Sequence, residues 1–145
     1  MSERILVIDD EPDVAETIVD VLRASGYDAD MRTDSVAALA LIAGGSYDLV
    51  VSDVVMPLLT GLQLLAQVKT QDNPPEVILV TGFSTREVAE TALEHGAFAY
   101  VEKPFDLSDF MQRAKQALWK RHLAAVQKRR TSDQTRWAAG GLGSC

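Results

Sequence analysis

Asp9, Asp10, Asp53, Thr81 and Lys103 are the residues whose types could do chemistry together. Each follows a short apolar run. Ile5-Leu6-Val7-Ile8 ends on Asp9-Asp10, and Leu49-Val50-Val51-Ser52 ends on Asp53. Val77-Ile78-Leu79-Val80 ends on Thr81-Gly82, and Ala97-Phe98-Ala99-Tyr100-Val101 ends on Glu102-Lys103-Pro104. Carboxylates gathered from two strand ends repel. Two unit charges 4 Å apart oppose each other by about 4 kcal/mol at an effective dielectric near 20. A hard divalent cation or a shared proton is the usual compensation. No His/Cys cluster competes for a softer metal, because His95 and His122 fall on separate helix surfaces and Cys145 stands alone. Mg²⁺ takes oxygen ligands. A carboxylate beside it can attack phosphorus as a nucleophile. A lysine and a hydroxyl can then neutralise the transferred phosphoryl group. The set therefore suits aspartyl phosphorylation, with Asp53 as acceptor, Asp9 and Asp10 for the metal, and Thr81 and Lys103 for the phosphoryl oxygens. Gly82 would let the backbone approach that group closely. Glu11 reads as a solvated charge near a helix start, favoured there by the helix dipole.

The elements that must position these residues alternate. Arg4 to Ile8 reads as a buried strand. Pro12 sits where a helix can begin, and Val14, Ile18, Val21 and Leu22 give that helix one apolar face, closed at Gly26. Tyr27 to Arg32 is a weak strand suited to a sheet edge. Thr33-Asp34-Ser35 can cap a second helix with Val36, Leu39, Ala40, Ile42 and Ala43 inward. Asp48 to Ser52 is the central strand. A helix with Leu62, Leu64, Leu65 and Val68 follows. Asn73-Pro74-Pro75 breaks the chain before a strand over Glu76 to Val80. Ser84 or Thr85 caps a helix through Val88, Ala92 and Leu93, and Phe98 to Val101 is the fifth strand. The last helix opens at Asp106 and turns Leu107, Phe110, Met111, Ala114, Ala117 and Leu118 inward.

Five strand–helix repeats with near-continuous apolar strands predict an α/β fold: a five-stranded parallel sheet, doubly wound, flavodoxin-like (βα)5. In the order 2-1-3-4-5 the topological switch point lies between strands 1 and 3, outside their carboxyl ends. Asp9-Asp10 and Asp53 fall there.

Composition narrows the classes. The chain has 145 residues, 47% hydrophobic and 24% charged, which fits one folded domain and opposes disorder. No apolar stretch approaches the roughly 20 residues needed to span a bilayer. No leader pattern precedes the first strand, so a cytoplasmic location is expected. The charge is uneven: residues 1–118 carry 20 acids and 8 bases, while 119–145 carry 1 acid and 6 bases. An acidic body opposes direct nucleic-acid binding. Residues 1–120 read as the domain. Residues 121–145 read as a basic helical extension, reaching about Arg130, and then a flexible tail. That segment is either a frayed end or a linker to an output domain.

The pattern Asp9-Asp10, Asp53-Val54-Val55-Met56-Pro57, Gly61, Thr81-Gly82 and Lys103-Pro104-Phe105 resembles the receiver domain of two-component response regulators. The resemblance covers about residues 3–120. It implies that Asp53 takes a phosphoryl group from a sensor histidine kinase or a phosphotransfer protein. It implies Mg²⁺ held by Asp10, Asp53 and the Val55 carbonyl, with Asp9 assisting through water. Pro57, Gly61 and Pro104 carry structural roles in the pattern, the last after a cis peptide. Thr81 and Tyr100 match the family's switch pair. Their movement would change the face made by helix 84–95, strand 98–101 and helix 106–118, where a partner, often a second copy, would bind. Val55 and Phe83 stand two residues after Asp53 and Thr81. Neither can orient water, so slow self-dephosphorylation is expected. The chain would be a switch and not an enzyme, apart from its own Mg²⁺-dependent phosphorylation and dephosphorylation.

Three other classes compete. An aspartate-nucleophile phosphohydrolase needs a general acid two residues after the nucleophile, where Val55 stands. A flavodoxin-like carrier needs a phosphate loop where the chain has Asp9-Asp10-Glu11-Pro12. A pseudo-receiver used only for protein contacts would fail to bind Mg²⁺.

Overall fold

A computed structural model describes the backbone of residues 3–82 and 85–144 and the side chains of 3–82 and 85–127. The apolar runs become five strands: β1 (Arg4–Ile8), β2 (Asp28–Arg32), β3 (Leu49–Asp53), β4 (Glu76–Thr81) and β5 (Ala99–Glu102). All neighbours pair in parallel, in the order β2-β1-β3-β4-β5. The three central strands are apolar on both faces because both faces are covered. β2 lies at an edge, which accounts for its acidic and basic residues.

Alternation along the strands divides the core in two. Ile5, Val7, Leu49, Val51, Ile78 and Val80 face α1 (Pro12–Ala24) and α5 (Leu107–Ser144). Leu6, Ile8, Val50, Val77 and Leu79 face α2 (Ser35–Ala43), α3 (Gly61–Lys69) and α4 (Arg86–Glu94). Local chemistry sets the helix starts. Asp34 accepts from the amides of Val36 and Ala37 at α2. Thr60 and Gln63 form a reciprocal capping box at α3. Thr85 caps α4, while Ser84 lies outside the described residues. Asp106 accepts the Ser108 amide at α5. Gly26, at φ +94°, turns the chain out of α1.

Several expectations are corrected. Val36, Ala40 and Ala43 are exposed on α2, whose buried residues are Ser35, Ala38 and Ile42. That helix is apolar nearly all round, so its period cannot choose a face; the Asp34 cap and the contact with α3 choose it. Leu107 is exposed rather than inward, since it lies at the first turn of its helix, beyond the reach of the sheet. β2 starts one residue later than Tyr27 and β5 one later than Phe98; both aromatics are partly buried beside the sheet. The last helix was expected to end near Arg130, but α5 continues to Ser144. No proline follows Pro104 to stop it. At 38 residues it is about 57 Å long at 1.5 Å per residue. Beyond Leu118 it is fastened at the amino edge of the sheet. Arg121 donates to the Asn73 side chain at 2.8 Å and to its carbonyl at 3.1 Å. Lys120 stands 3.7 Å from Glu76. Among the described residues no helix is long and apolar enough to cross a membrane.

Candidate functional site

Parallel register brings the polar strand ends to one edge. Ile8 is level with Ser52, so the next residues, Asp9 and Asp53, stand side by side. Asp53 is the last residue of β3 and only 6% exposed. Asp9 is buried as deeply, while Asp10 and Glu11 are exposed. One carboxylate oxygen from each of Asp9, Asp10, Glu11 and Asp53 lies within 4.8 Å of all the others.

Lys103 bridges the two buried acids. Its Nζ is 2.8 Å from Asp9 Oδ2 and 3.1 Å from Asp53 Oδ2. The lysine is held there by its own backbone, which donates from N to the Thr81 carbonyl at 2.8 Å and leads into the cis Lys103-Pro104 peptide. The remaining oxygens of the two acids take backbone amides. Asp9 Oδ1 accepts from Glu11 N at 2.9 Å, and Asp53 Oδ1 accepts from Val55 N at 3.2 Å. Burial and then the Asp9 charge push the Asp53 carboxyl above the usual range, even though Lys103 and the Val55 amide pull the other way. Burial alone would lower the Lys103 ammonium. Its hydrogen bonds and charge contacts with Asp9 and Asp53 outweigh that and raise it. Lys103 is therefore a fixed cation between partners.

An opening of about 190 Å³ lies over the acids, lined by Asp10, Glu11, Asp53, Val55, Gly82 and Lys103. Thr81 sits below it as the fully buried last residue of β4. A Cβ built on Gly82 would find no atom nearer than 4.0 Å, so the backbone there faces space. Tyr100 is not brought to the cluster. It packs with the α2–α3–α4 side of the core, and its hydroxyl is buried without a hydrogen-bond partner among the described residues. Phe83, expected to flank the site, lies outside the described residues. Val55 is exposed at the rim.

The loop after Asp53 is pinned from below. The Gly61 amide donates to the Val54 carbonyl at 2.8 Å. A Cβ at Gly61 would strike the Asp53 carbonyl and lie 2.8 Å from Val54 Cα, so only glycine allows this approach. The Pro57 carbonyl accepts from Ser35 Oγ at 3.2 Å, and Ser52 Oγ donates to the Asp53 carbonyl at 2.9 Å. Glu11 is the residue that sequence reasoning set aside. Its place at the start of α1 looked like dipole chemistry alone, and only its adjacency to Asp9-Asp10 signalled otherwise.

Four carboxylates face one lysine. The donor set is all oxygen, half of it exposed, and it fits a hard divalent cation that keeps part of its water. His95 bonds to its own helix and His122 stacks on Trp119, so neither approaches the cluster.

A family model described as the response regulator receiver domain matches residues 5–115. The chain belongs to this family. Response regulator MprA of Mycobacterium sp. (strain KMS) is 35% identical over 118 residues, covering 81% of this chain and 51% of that protein. The chain thus spans about half the length of that relative. A CheY-like receiver domain from Methanospirillum hungatei JF-1 superposes with a TM-score of 0.79 at 26% identity, covering 86% of this chain and 99% of the other. The beryllofluoride-activated NtrC4 receiver domain dimer gives 0.77 at 29% identity, covering 81% and 98%. The sheet order and the flavodoxin-like winding of this receiver agree with those relatives.

Proposed function

We propose that this receiver is a phosphorylation-controlled signalling switch with Asp53 as its acceptor. The observation that carries the reading is the buried Asp53 carboxylate, bridged by Lys103 to Asp9 and facing an acid-lined opening. Asp53 attacks the phosphorus of a phosphohistidine on a sensor histidine kinase or phosphotransfer protein. An oxygen–phosphorus bond forms, the phosphorus–nitrogen bond breaks, and the leaving imidazole regains a proton. Asp10, Asp53 and the Val55 carbonyl would hold Mg²⁺, with Asp9 acting through water. When bound, the ion supplies positive charge to the phosphoryl oxygens. Lys103 keeps its contact with Asp9 while its Asp53 contact passes to a phosphoryl oxygen. The Thr81 hydroxyl and the Gly82 amide supply neutral donors.

The new dianion biases a two-state equilibrium. Thr81 moves toward it, Tyr100 turns inward, and the α4–β5–α5 face changes to admit a partner, a second copy among them. Residues 1–120 form the switch, and the basic stretch 121–145 extends from it. The chain acts on its own acceptor only and is not an enzyme for other substrates.

Intact mass after incubation with acetyl phosphate and Mg²⁺ tests the reading. Gain of one phosphoryl group is expected, absent in Asp53→Asn and with a chelator. No gain under any condition would shift the reading to a receiver used for protein contacts alone. The same samples give the lifetime. With apolar Val55 at the rim and Phe83 at the second position, the phosphoryl group should outlast a timescale of seconds in buffer.

A further inference from the structure

We propose that Glu11 is an auxiliary carboxylate of the metal site, which strengthens divalent-cation binding while weakening binding of the phosphoryl group. This rests on the reading of Asp53 as a Mg²⁺-dependent acceptor. Asp9, Asp10 and Asp53 carry three negative charges, which a divalent cation and Lys103 balance. Glu11 is a fourth carboxylate outside that balance, yet its oxygen lies within 4.8 Å of the other three. It lines the same opening. Its place is built in two ways. The Glu11 amide donates to Asp9 Oδ1 at 2.9 Å, which ties this turn of backbone to the buried acid. Its side chain makes no capping bond at the start of α1, so the carboxylate is not committed to the helix amides.

The charge then acts with opposite signs on the two ligands. It attracts a cation at the cluster. It repels the phosphoryl group, which replaces the single charge of Asp53 with about two. An exposed carboxylate at this range, screened by water and salt, is worth roughly a threefold to tenfold change in affinity for a divalent ion. A residue that only shaped the loop would move both affinities in the same direction.

Calorimetric titration of Mg²⁺ into the wild-type chain, Glu11→Gln, Glu11→Asp and Glu16→Gln separates the roles. Glu16 is an exposed acid of α1 outside the cluster. A second titration adds beryllium fluoride at saturating Mg²⁺, as a phosphoryl mimic. Glu11→Gln should raise the Mg²⁺ Kd by about threefold to tenfold and lower the beryllium fluoride Kd. Glu11→Asp, which keeps the charge, and Glu16→Gln should both stay near wild type. Unchanged Mg²⁺ affinity in Glu11→Gln overturns the proposal, and so does weaker binding of both ligands. Absence of saturable Mg²⁺ binding in the wild type overturns the underlying reading of the site, and the role of Glu11 falls with it.

Discussion

At Asp53, four influences compete on one carboxylate. Burial and the neighbouring Asp9 disfavour its charge, while Lys103 and the Val55 amide favour it, and the first pair wins. A group whose pKa is higher in the folded than in the unfolded chain adds stability at low pH that is lost as pH rises through the folded value. At neutral pH, ionised Asp53 is therefore a burden on the metal-free fold. Asp53→Asn should raise metal-free stability at pH 7. Lys103 still keeps its 2.8 Å partner, Asp9. Urea unfolding of both proteins at pH 7 and pH 4 checks this. The gain should shrink at the lower pH, because the raised pKa lets Asp53 take up a proton there more readily in the folded chain than in the unfolded one, and the protonated acid resembles the amide. A variant less stable than wild type at pH 7 would show that the Lys103 contact outweighs burial.

The site exists because elements end where they do. β3 stops at Asp53 and is followed by a loop that doubles back beneath its own carbonyl to begin α3 at Gly61. That return is what aims the Val55 amide at Asp53 Oδ1. Gly61→Ala places a methyl group against the Asp53 carbonyl and Val54 Cα. Both are backbone and cannot rotate away. Overpacking of this kind typically costs about 1–3 kcal/mol. The expected result is a lower urea midpoint by that amount, together with weaker Mg²⁺ binding, because the strain falls on the residues that carry Asp53. Unchanged Mg²⁺ affinity in Gly61→Ala would show that the loop relaxes away from the site. α5 is positioned by a different device. The Arg121 contacts with Asn73, whose own φ is +54°, fix the helix where it leaves the body.

Across the whole molecule, the acids and the extension lie at opposite edges of one sheet. The carboxylate cluster sits at the carboxyl ends of β1 and β3, and the Arg121–Asn73 contact sits before the amino end of β4. A chain ending after Gln127 keeps every described contact of the body. It should bind Mg²⁺ within about twofold of the full chain, since screening over about 8–10 Å removes the influence of the distant basic charges. Calorimetry on both chains tests it. A larger loss would mean that the extension reaches the site in solution.

Much of this was legible in the amino-acid order. Central strands buried on both faces must be apolar throughout, so β1, β3 and β4 announce themselves. Strand–helix alternation then leaves few topologies and puts Asp9, Asp10, Asp53, Thr81 and Lys103 at one edge. Three things needed the tertiary structure. The outward side of α2 was decided by packing against α3, because a helix apolar all round has no period to read. Glu11 joined the acids through the turn of backbone between β1 and α1. Lys103, which is 50 residues from Asp53, was aimed between two buried carboxylates by the neighbouring ends of β4 and β5. Periodicity records which way a side chain faces along its own element. Distances between side chains on different elements arise only when the sheet closes and its loops settle.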